Sequence, residues 1–179
     1  ENVASVAPRF GSLPAARVLF LGNSITLHGP APAIGWTGNW GMAASAEHLD
    51  YVHLVTEGIA ASGVQPNIMV KNIADFERGY STYDVKESLK SELEFQADMI
   101  IVAVGENVSE LTTDEAKAKY KAAFSSLLSE LRKHGEPVLF VRGSFWANTV
   151  KDDAMRAAAQ GAEATFIDIA ALGVDESNL

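Results

Sequence analysis

Two short polar segments follow the two most strand-like runs of the sequence, and each carries a side chain suited to acyl transfer. Gly22-Asn23-Ser24 follows the apolar run 17–21, and Gly105-Glu106-Asn107 follows the apolar run 98–104. Hydrolases often expose a nucleophilic serine on a sharp turn between a strand and a helix. An amide side chain beside such a serine can stabilise the oxyanion that forms during attack on a carbonyl, by about 3–4 kcal/mol.

This chemistry requires both segments to lie at one edge of a sheet. Apart from Arg17 and Asp98, the two runs are apolar, as strands buried on both faces are. The carboxyl ends of parallel strands share one edge, and open α/β sheets bind their ligands there. If the two strands are neighbours, Ser24 and Asn107 share a pocket. The alternative from the residues alone is that Ser24 is a helix N-cap.

Strands alternate with helices along the whole chain. We predict strands at 17–21, 67–72, 98–105, 137–141 and 164–169, and helices at 42–62, 85–93, 116–131 and 152–160, the third capped by Thr112. Residues 1–16 are expected to form an extended lead-in, 27–41 a long loop and 73–82 a polar connection. The alternation predicts one α/β domain over residues 1–179, a three-layer sandwich with a five-stranded parallel sheet.

Composition excludes several classes of function. The 23 acidic residues outnumber the 14 basic ones and give a net charge of -9, which disfavours nucleic acid and anionic membrane surfaces as partners. No apolar run approaches the roughly 20 residues of a membrane span. Cysteine is absent, so disulfides, thiol catalysis and thiolate metal sites are excluded. His48, Asp50 and His53 could be metal ligands, but positions 48 and 53 do not share a helix face, and we expect no metal site there. No motif in the sequence indicates an organic cofactor.

Three tryptophans are candidate substrate-binding residues. Trp36 and Trp40 lie in the long loop after Ser24, and Trp146 follows the predicted fourth strand. Aromatic faces stack on sugar rings, so this placement predicts carbohydrate binding. The alternative is that the two loop tryptophans cover the core.

The two polar segments resemble sequence blocks of the SGNH (GDSL-type) hydrolases. Gly22-Asn23-Ser24-Ile25-Thr26 is similar to the Gly-Asp-Ser-Leu block, with Asn for Asp and Ile for Leu, and Gly105-Glu106-Asn107-Val108 is similar to the Gly-x-Asn-Asp block, with Val for the last Asp. The resemblance spans residues 17–170 and implies a flavodoxin-like sheet and ester hydrolysis through an acyl-enzyme on Ser24. It also implies an oxyanion hole formed by the Ser24 backbone N–H and the Asn107 amide.

Two further elements of that family have less obvious counterparts. Gly79 is the candidate for the third oxyanion donor, which in this family follows the second strand. If Gly79 is only a turn glycine, a backbone N–H of another residue within 74–78 would be the third donor. The family takes its base from a late Asp-x-x-His block before a final helix, but neither Asp168 nor Asp175 has a histidine three residues later. We therefore expect this block and the final helix to follow residue 179. Without them only residual catalysis is expected. His28 is the alternative base within the chain.

Three hypotheses follow. The first is a serine esterase acting on a small-molecule or glycan ester, most specifically a carbohydrate O-acetylesterase. The second is a lipase or thioesterase on the same scaffold, which an open apolar groove beside Ser24 would favour. The third is a non-catalytic glycan-binding domain that lacks the Asp-His pair. The chain begins at Glu1, without an initiator Met, so a signal peptide or a tag was removed or the chain was cut there. We expect the first of these, and therefore a processed protein of the periplasm or the extracellular space. The sequence does not indicate an oligomeric state.

Overall fold

Five parallel strands form the central sheet of the computed structural model, which describes residues 8–178. They are β3 (Arg17–Gly22), β4 (Asn67–Asn72), β5 (Met99–Ala103), β6 (Val138–Arg142) and β7 (Thr165–Ile167), after a short antiparallel pair formed by β1 (Arg9–Phe10) and β2 (Leu13–Pro14). The sheet order is β4-β3-β5-β6-β7. The predicted fold class is therefore confirmed, and the strands that precede Ser24 and Asn107 are neighbours, with Gly22 opposite Ala103.

Six helices cover the two faces of the sheet unequally. They are α1 (Tyr51–Ala60), α2 (Ala74–Gly79), α3 (Val85–Ser88), α4 (Lys90–Glu94), α5 (Asp114–Arg132) and α6 (Thr149–Gly161). The α1 helix packs on one face, where Val52 and Ile59 contact a cluster that includes Val18 and Phe20. The other five helices supply the larger core on the opposite face. Within residues 8–178, no helix is long and apolar enough to cross a membrane.

The longest helix, α5, illustrates how the sequence produces the larger core. Its apolar residues recur at helical spacing and are fully or almost fully buried: Tyr120, Phe124, Leu127, Leu128 and Leu131. The cap lies one residue later than predicted, because the Thr113 hydroxyl, and not that of Thr112, accepts a 3.1 Å hydrogen bond from Ala116 N.

The predicted helix 42–62 was wrong in its first half. Residues 42–46 form turns, Glu47–Leu49 is a 3-10 turn, and α1 begins only after Asp50. The Asp50 carboxylate is buried; Oδ1 caps α1 by accepting a 2.8 Å bond from His53 N, and Oδ2 accepts one from Gly41 N at 3.1 Å. These two contacts fix the point at which the loop ends and the helix starts.

Two other predicted boundaries also need correction. The polar connection 73–82 contains α2, a six-residue helix that buries Phe76 and Glu77. The predicted helix 85–93 is interrupted at Leu89, which separates α3 from α4. In the lead-in, residues 8–16 include the β1–β2 pair, whereas residues 1–7 lie outside the described part of the chain.

Candidate active site

The turn that carries Ser24 is shaped by the residues on either side of it. A Cβ at Gly22 would lie 1.8 Å from Thr26 Oγ1 and 2.8 Å from the Ala103 carbonyl oxygen, so only glycine fits at the end of β3. Asn23 is fully buried, and its Oδ1 accepts a 3.0 Å bond from Ile25 N, which closes the turn. Ser24 is therefore held at the carboxyl edge of the sheet, and its side chain is only partly buried.

The opposite side of this turn is tied to α1. Thr26 Oγ1 and the Tyr51 hydroxyl lie 2.8 Å apart. Burial raises the pKa of Tyr51 to about 12, so this hydroxyl keeps its proton at neutral pH. Met42 N donates to the Ser24 carbonyl oxygen at 2.8 Å, which fastens the long loop to the same turn.

The turn that carries Asn107 meets the Ser24 turn at one buried carboxylate. Glu77, on α2, is 1% exposed. Its Oε1 accepts bonds from Gly105 N at 2.6 Å and from Asn107 N at 3.1 Å, and its Oε2 accepts one from Asn107 Nδ2 at 2.7 Å. Asn23 Nδ2 also donates to Glu77 Oε1, at 3.2 Å. Both turns are thus bonded to the same side chain.

Gly105 allows the second turn its shape. Its φ of +133° is a conformation that other residues rarely adopt, and a Cβ there would lie 2.5 Å from Ser144 Oγ. The backbone after β5 can therefore turn sharply and direct the N–H groups of residues 105 and 107 toward Glu77.

A second buried carboxylate, Glu106, lies on the other side of Asn23. Its Oε2 accepts a 2.7 Å bond from Asn23 Nδ2, and its Oε1 accepts bonds from Arg142 at 2.5 Å and from Phe145 N at 2.9 Å. Burial by itself would raise the pKa of Glu106, but the Arg142 guanidinium outweighs that effect and holds the pKa below its usual value. Glu106 is therefore an anion at neutral pH.

The remaining predicted site residues lie in several places. Gly79 is the last residue of α2, five positions after Ala74, and its carbonyl oxygen accepts a bond from Thr82 N. Trp36 and Trp40 pack edge to face at 5.2 Å, and each donates its indole N–H to a loop carbonyl oxygen. Trp146 is 60% exposed and packs against Phe145 at 5.3 Å. The roles of these four residues, and those of Ser24 and Asn107, stay predictions.

None of the histidines in the described part of the chain is hydrogen-bonded to the Ser24 hydroxyl. His28 Nδ1 bonds to the Gly29 carbonyl oxygen at 2.6 Å, and His134 Nε2 lies 3.3 Å from Glu130. His53 Nδ1 lies 2.7 Å from Asp50 Oδ1, while its Nε2 faces Glu47 at 3.8 Å. Across residues 8–178, no three His, Asp or Glu side chains are grouped so that they could hold a metal ion.

Sequence reasoning missed two features of the site and one hydrogen-bonded pair at the start of α1. It assigned no role to Glu77, because a glutamate in a polar segment is usually exposed. It quoted Glu106 only as part of a motif and did not identify Arg142 as its partner. It also overlooked the Asp-x-x-His spacing of residues 50–53, a signal that was readable and that corresponds to a real Asp50–His53 hydrogen bond.

An apolar groove of about 640 Å³ runs along the sheet face that α1 covers only in part. The groove extends from the β1–β2 pair to Leu172, and the sheet residues at its floor are Met99, Ile101 and Phe140. Ile25, the residue that follows Ser24 in the chain, also lines the groove.

Comparisons with known proteins support the fold. The sequence matches no protein-family model and no curated protein. Its structure is similar to that of a lipase/acylhydrolase from Enterococcus faecalis, with 16% identity and a TM-score of 0.53 over 90% of this chain and 81% of that chain.

Two carbohydrate-acting esterases are also similar in structure. A family two carbohydrate esterase from Cellvibrio japonicus has 18% identity and a TM-score of 0.52, over 87% of this chain and 52% of that chain. The acetyl xylan esterase Est2A from Butyrivibrio proteoclasticus has 16% identity and a TM-score of 0.50, over 86% and 55%. This chain therefore spans about half the length of these two esterases. At such identities, the likeness shows the fold alone.

Proposed function

We propose that this chain is an ester hydrolase of the SGNH type, in which the Ser24 hydroxyl is the nucleophile. The main support is the convergence of the two candidate turns on Glu77, which receives hydrogen bonds from Asn23, next to Ser24, and from Asn107. Ser24 also lies at the carboxyl edge of a parallel sheet, where α/β enzymes bind their ligands. The fold shared with a lipase/acylhydrolase and two esterases agrees with this assignment.

In the proposed reaction, Ser24 Oγ attacks the carbonyl carbon of the ester and gives its proton to a base. The C–O bond to the alcohol then breaks, the alcohol leaves with a proton, and an acyl-enzyme remains. Water hydrolyses this acyl-enzyme and restores the serine. The Ser24 backbone N–H and the Asn107 amide would donate to the oxyanion of each tetrahedral intermediate. Gly79 stays the predicted third donor, with the N–H groups of 74–78 as the alternative.

For the substrate, we propose an acetyl ester on a carbohydrate. Trp146 presents an exposed ring beside Phe145, after β6 at the same edge of the sheet, and such a surface is suited to stacking on a sugar. Trp36 and Trp40 would bound the other side of the site. Two of the structural neighbours are named for action on carbohydrate or acetyl xylan. We also propose that the protein acts on this substrate outside the cytoplasm.

The test compares wild-type protein with Ser24→Ala on nitrophenyl acetate and on acetylated xylo-oligosaccharides. Because Ser24 is half-buried at a turn, the variant is expected to keep the wild-type melting temperature and to lose the ester hydrolysis that the wild-type protein catalyses. Equal activity of the two proteins would refute the assignment of the nucleophile. Inactive wild-type protein that still binds the oligosaccharide would favour the non-catalytic glycan-binding hypothesis.

The apolar groove supports a second candidate, a hydrolase of long-chain esters or thioesters. Ile25, the residue after Ser24, lines the groove, and the lining is almost entirely apolar. A bound acyl chain would gain about 0.8 kcal/mol for each buried CH₂ group. Measuring kcat/KM for nitrophenyl esters from two to twelve carbons separates the candidates. A rise with chain length favours the lipase, whereas a maximum at two carbons favours the acetylesterase.

A further inference from the structure

Glu77 is a buried carboxylate whose partners all belong to the two turns of the candidate active site. It accepts four N–H bonds, from Asn23 Nδ2, Gly105 N, Asn107 N and Asn107 Nδ2, at distances between 2.6 and 3.2 Å. These donors are 28 to 54 residues away from Glu77 in the sequence. A side chain on α2 therefore joins the segment after β3 to the segment after β5.

The chemistry of these contacts differs from that of an ordinary ion pair. Glu106, its neighbour, is paired with Arg142, whereas no ion pair within residues 8–178 includes Glu77. All four partners are donors, and a carboxylate is the side chain that accepts through both oxygens. Charge-assisted hydrogen bonds of this kind are stronger and more directional than neutral ones.

The contacts with Asn107 constrain both its backbone and its side chain. Oε1 accepts from the main-chain N–H, and Oε2 accepts from the amide nitrogen Nδ2. Because a carboxylate repels the amide oxygen, Asn107 must present its NH₂ group to Glu77. One N–H of that group is used in this bond, and the other is left to donate elsewhere.

We propose that Glu77 is the positioning residue of the oxyanion hole: it orients the Asn107 amide so that the second N–H is directed at the oxyanion. This inference rests on the proposed ester hydrolysis at Ser24. Glu77 itself does not touch the substrate. Its effect on the reaction passes through Asn107, and misplacing such a donor by about 1 Å can cost on the order of 10²-fold in rate.

A merely structural role is the competing explanation, because Glu77 also attaches α2 to the sheet edge through Asn23 and Gly105. The two explanations differ in their coupling to Asn107. If Glu77 acts through the Asn107 amide, its substitution has little further effect once that amide is gone. If it only supports the fold, its substitution has the same effect whether or not the amide is present.

The experiment is a double-mutant cycle on kcat with Glu77→Gln and Asn107→Ala. Asn107→Ala is expected to lower kcat by about 10²–10³-fold, as the loss of an oxyanion donor does. Glu77→Gln is expected to lower kcat on the order of 10²-fold with KM nearly unchanged. In the Asn107→Ala background, we expect Glu77→Gln to change kcat by less than about 3-fold.

The matched control is Glu92→Gln. Glu92 is another buried glutamate, 9% exposed on α4, and its ion-pair partner, at 3.9 Å, is Lys71 on β4. This variant is expected to keep kcat within about 2-fold, since substitutions away from the site act mainly on stability. If Glu77→Gln does not fold, Glu77→Asp, which keeps the charge but shortens the side chain, replaces it in the same cycle.

Three outcomes would overturn the proposal in distinguishable ways. A wild-type protein that hydrolyses no ester refutes the proposed function on which the inference rests. With an active wild-type protein, an equal loss of kcat in both backgrounds refutes only the positioning role. If the kcat of Glu77→Gln equals that of the wild-type protein, the positioning role alone is likewise refuted. As a readout independent of turnover, the side-chain NH₂ signals of Asn107 in an NMR spectrum should shift in Glu77→Gln and stay in place in Glu92→Gln.

Discussion

Replacing Asn23 by aspartate tests whether a neutral amide is required between two buried carboxylates. The Asn23 amide donates one N–H to Glu77 at 3.2 Å and the other to Glu106 at 2.7 Å. Asn23→Asp keeps the shape of the side chain, removes both donors and places a third carboxylate beside the other two. The change is therefore an electrostatic perturbation at a side chain that is fully buried.

The expected loss of stability can be worked out from these contacts. A hydrogen bond to a charged group contributes about 1.5–3 kcal/mol, so losing two at neutral pH predicts a loss of about 3–6 kcal/mol. Repulsion should raise the pKa of the new aspartate, so the folded state of the variant binds a proton that the unfolded state releases. The loss should therefore be largest near pH 7 and become smaller as the pH falls toward the unfolded value of about 3.9.

The assay is urea unfolding followed by tryptophan fluorescence at pH 7 and pH 4.5. Asn39→Asp is the matched control, because it makes the same chemical change at an exposed position of the long loop; it should alter stability by less than about 0.5 kcal/mol. If Asn23→Asp is as stable as this control at pH 7, then the Asn23 amide does not bridge Glu77 and Glu106, and the account of the site is wrong.

Two further predictions concern acid stability and the start of α1. Because Arg142 holds the pKa of Glu106 below 4.5, Glu106 stabilises the folded state above that pH, and this contribution is lost as the pH falls through the lowered value. Glu106→Gln should therefore flatten the decline of urea midpoints between pH 5 and pH 3; an unchanged slope would contradict this. Asp50→Ala removes the cap of α1, so its free energy of unfolding in urea titrations should be lower by about 1–2 kcal/mol. The control is Asp75→Ala, on the exposed surface of α2, whose free energy of unfolding should equal that of the wild-type protein.

The sheet could be predicted from the sequence because each strand is a short apolar run bounded by small or polar residues. Met99–Ala103 and Arg17–Gly22 lie within two residues of their predicted limits. Their side chains are buried on both faces, so local composition already reflects the tertiary environment. The convergence of the Ser24 and Asn107 turns on one side chain follows from the same strands being neighbours.

The helix boundaries were harder to predict, because they depend on contacts between distant residues. Apolar residues continue the helical spacing N-terminally to Met42, yet the buried Asp50 carboxylate caps a helix that starts nine residues later, at Tyr51. The α2 helix has only six residues and is mostly polar, so it has too little periodicity to be recognised.

The carboxylates of the site could not be found by local reasoning at all. Glu77 lies in a polar segment that is typical of exposed loops, but folding surrounds it with donors from two distant turns. The SGNH hydrolases, which this sequence resembles, have Asp at the position of Asn23. The two neighbouring carboxylates, Glu77 and Glu106, explain why this chain has an amide there. A residue that departs from a family motif, as Asn23 does, can thus be explained by side chains that are distant in the sequence and adjacent in the fold.

The most direct test of the central claim is to identify the residue that a reactive organophosphonate modifies. Intact-mass measurement and peptide mapping after incubation with a fluorophosphonate should give one adduct, on the peptide that contains Ser24. The rate of modification should fall in Asn107→Ala, and Ser24→Ala should remain unmodified. An ester-hydrolysing protein whose adduct lies on another residue, or a Ser24→Ala protein modified as fast as wild type, would contradict the account.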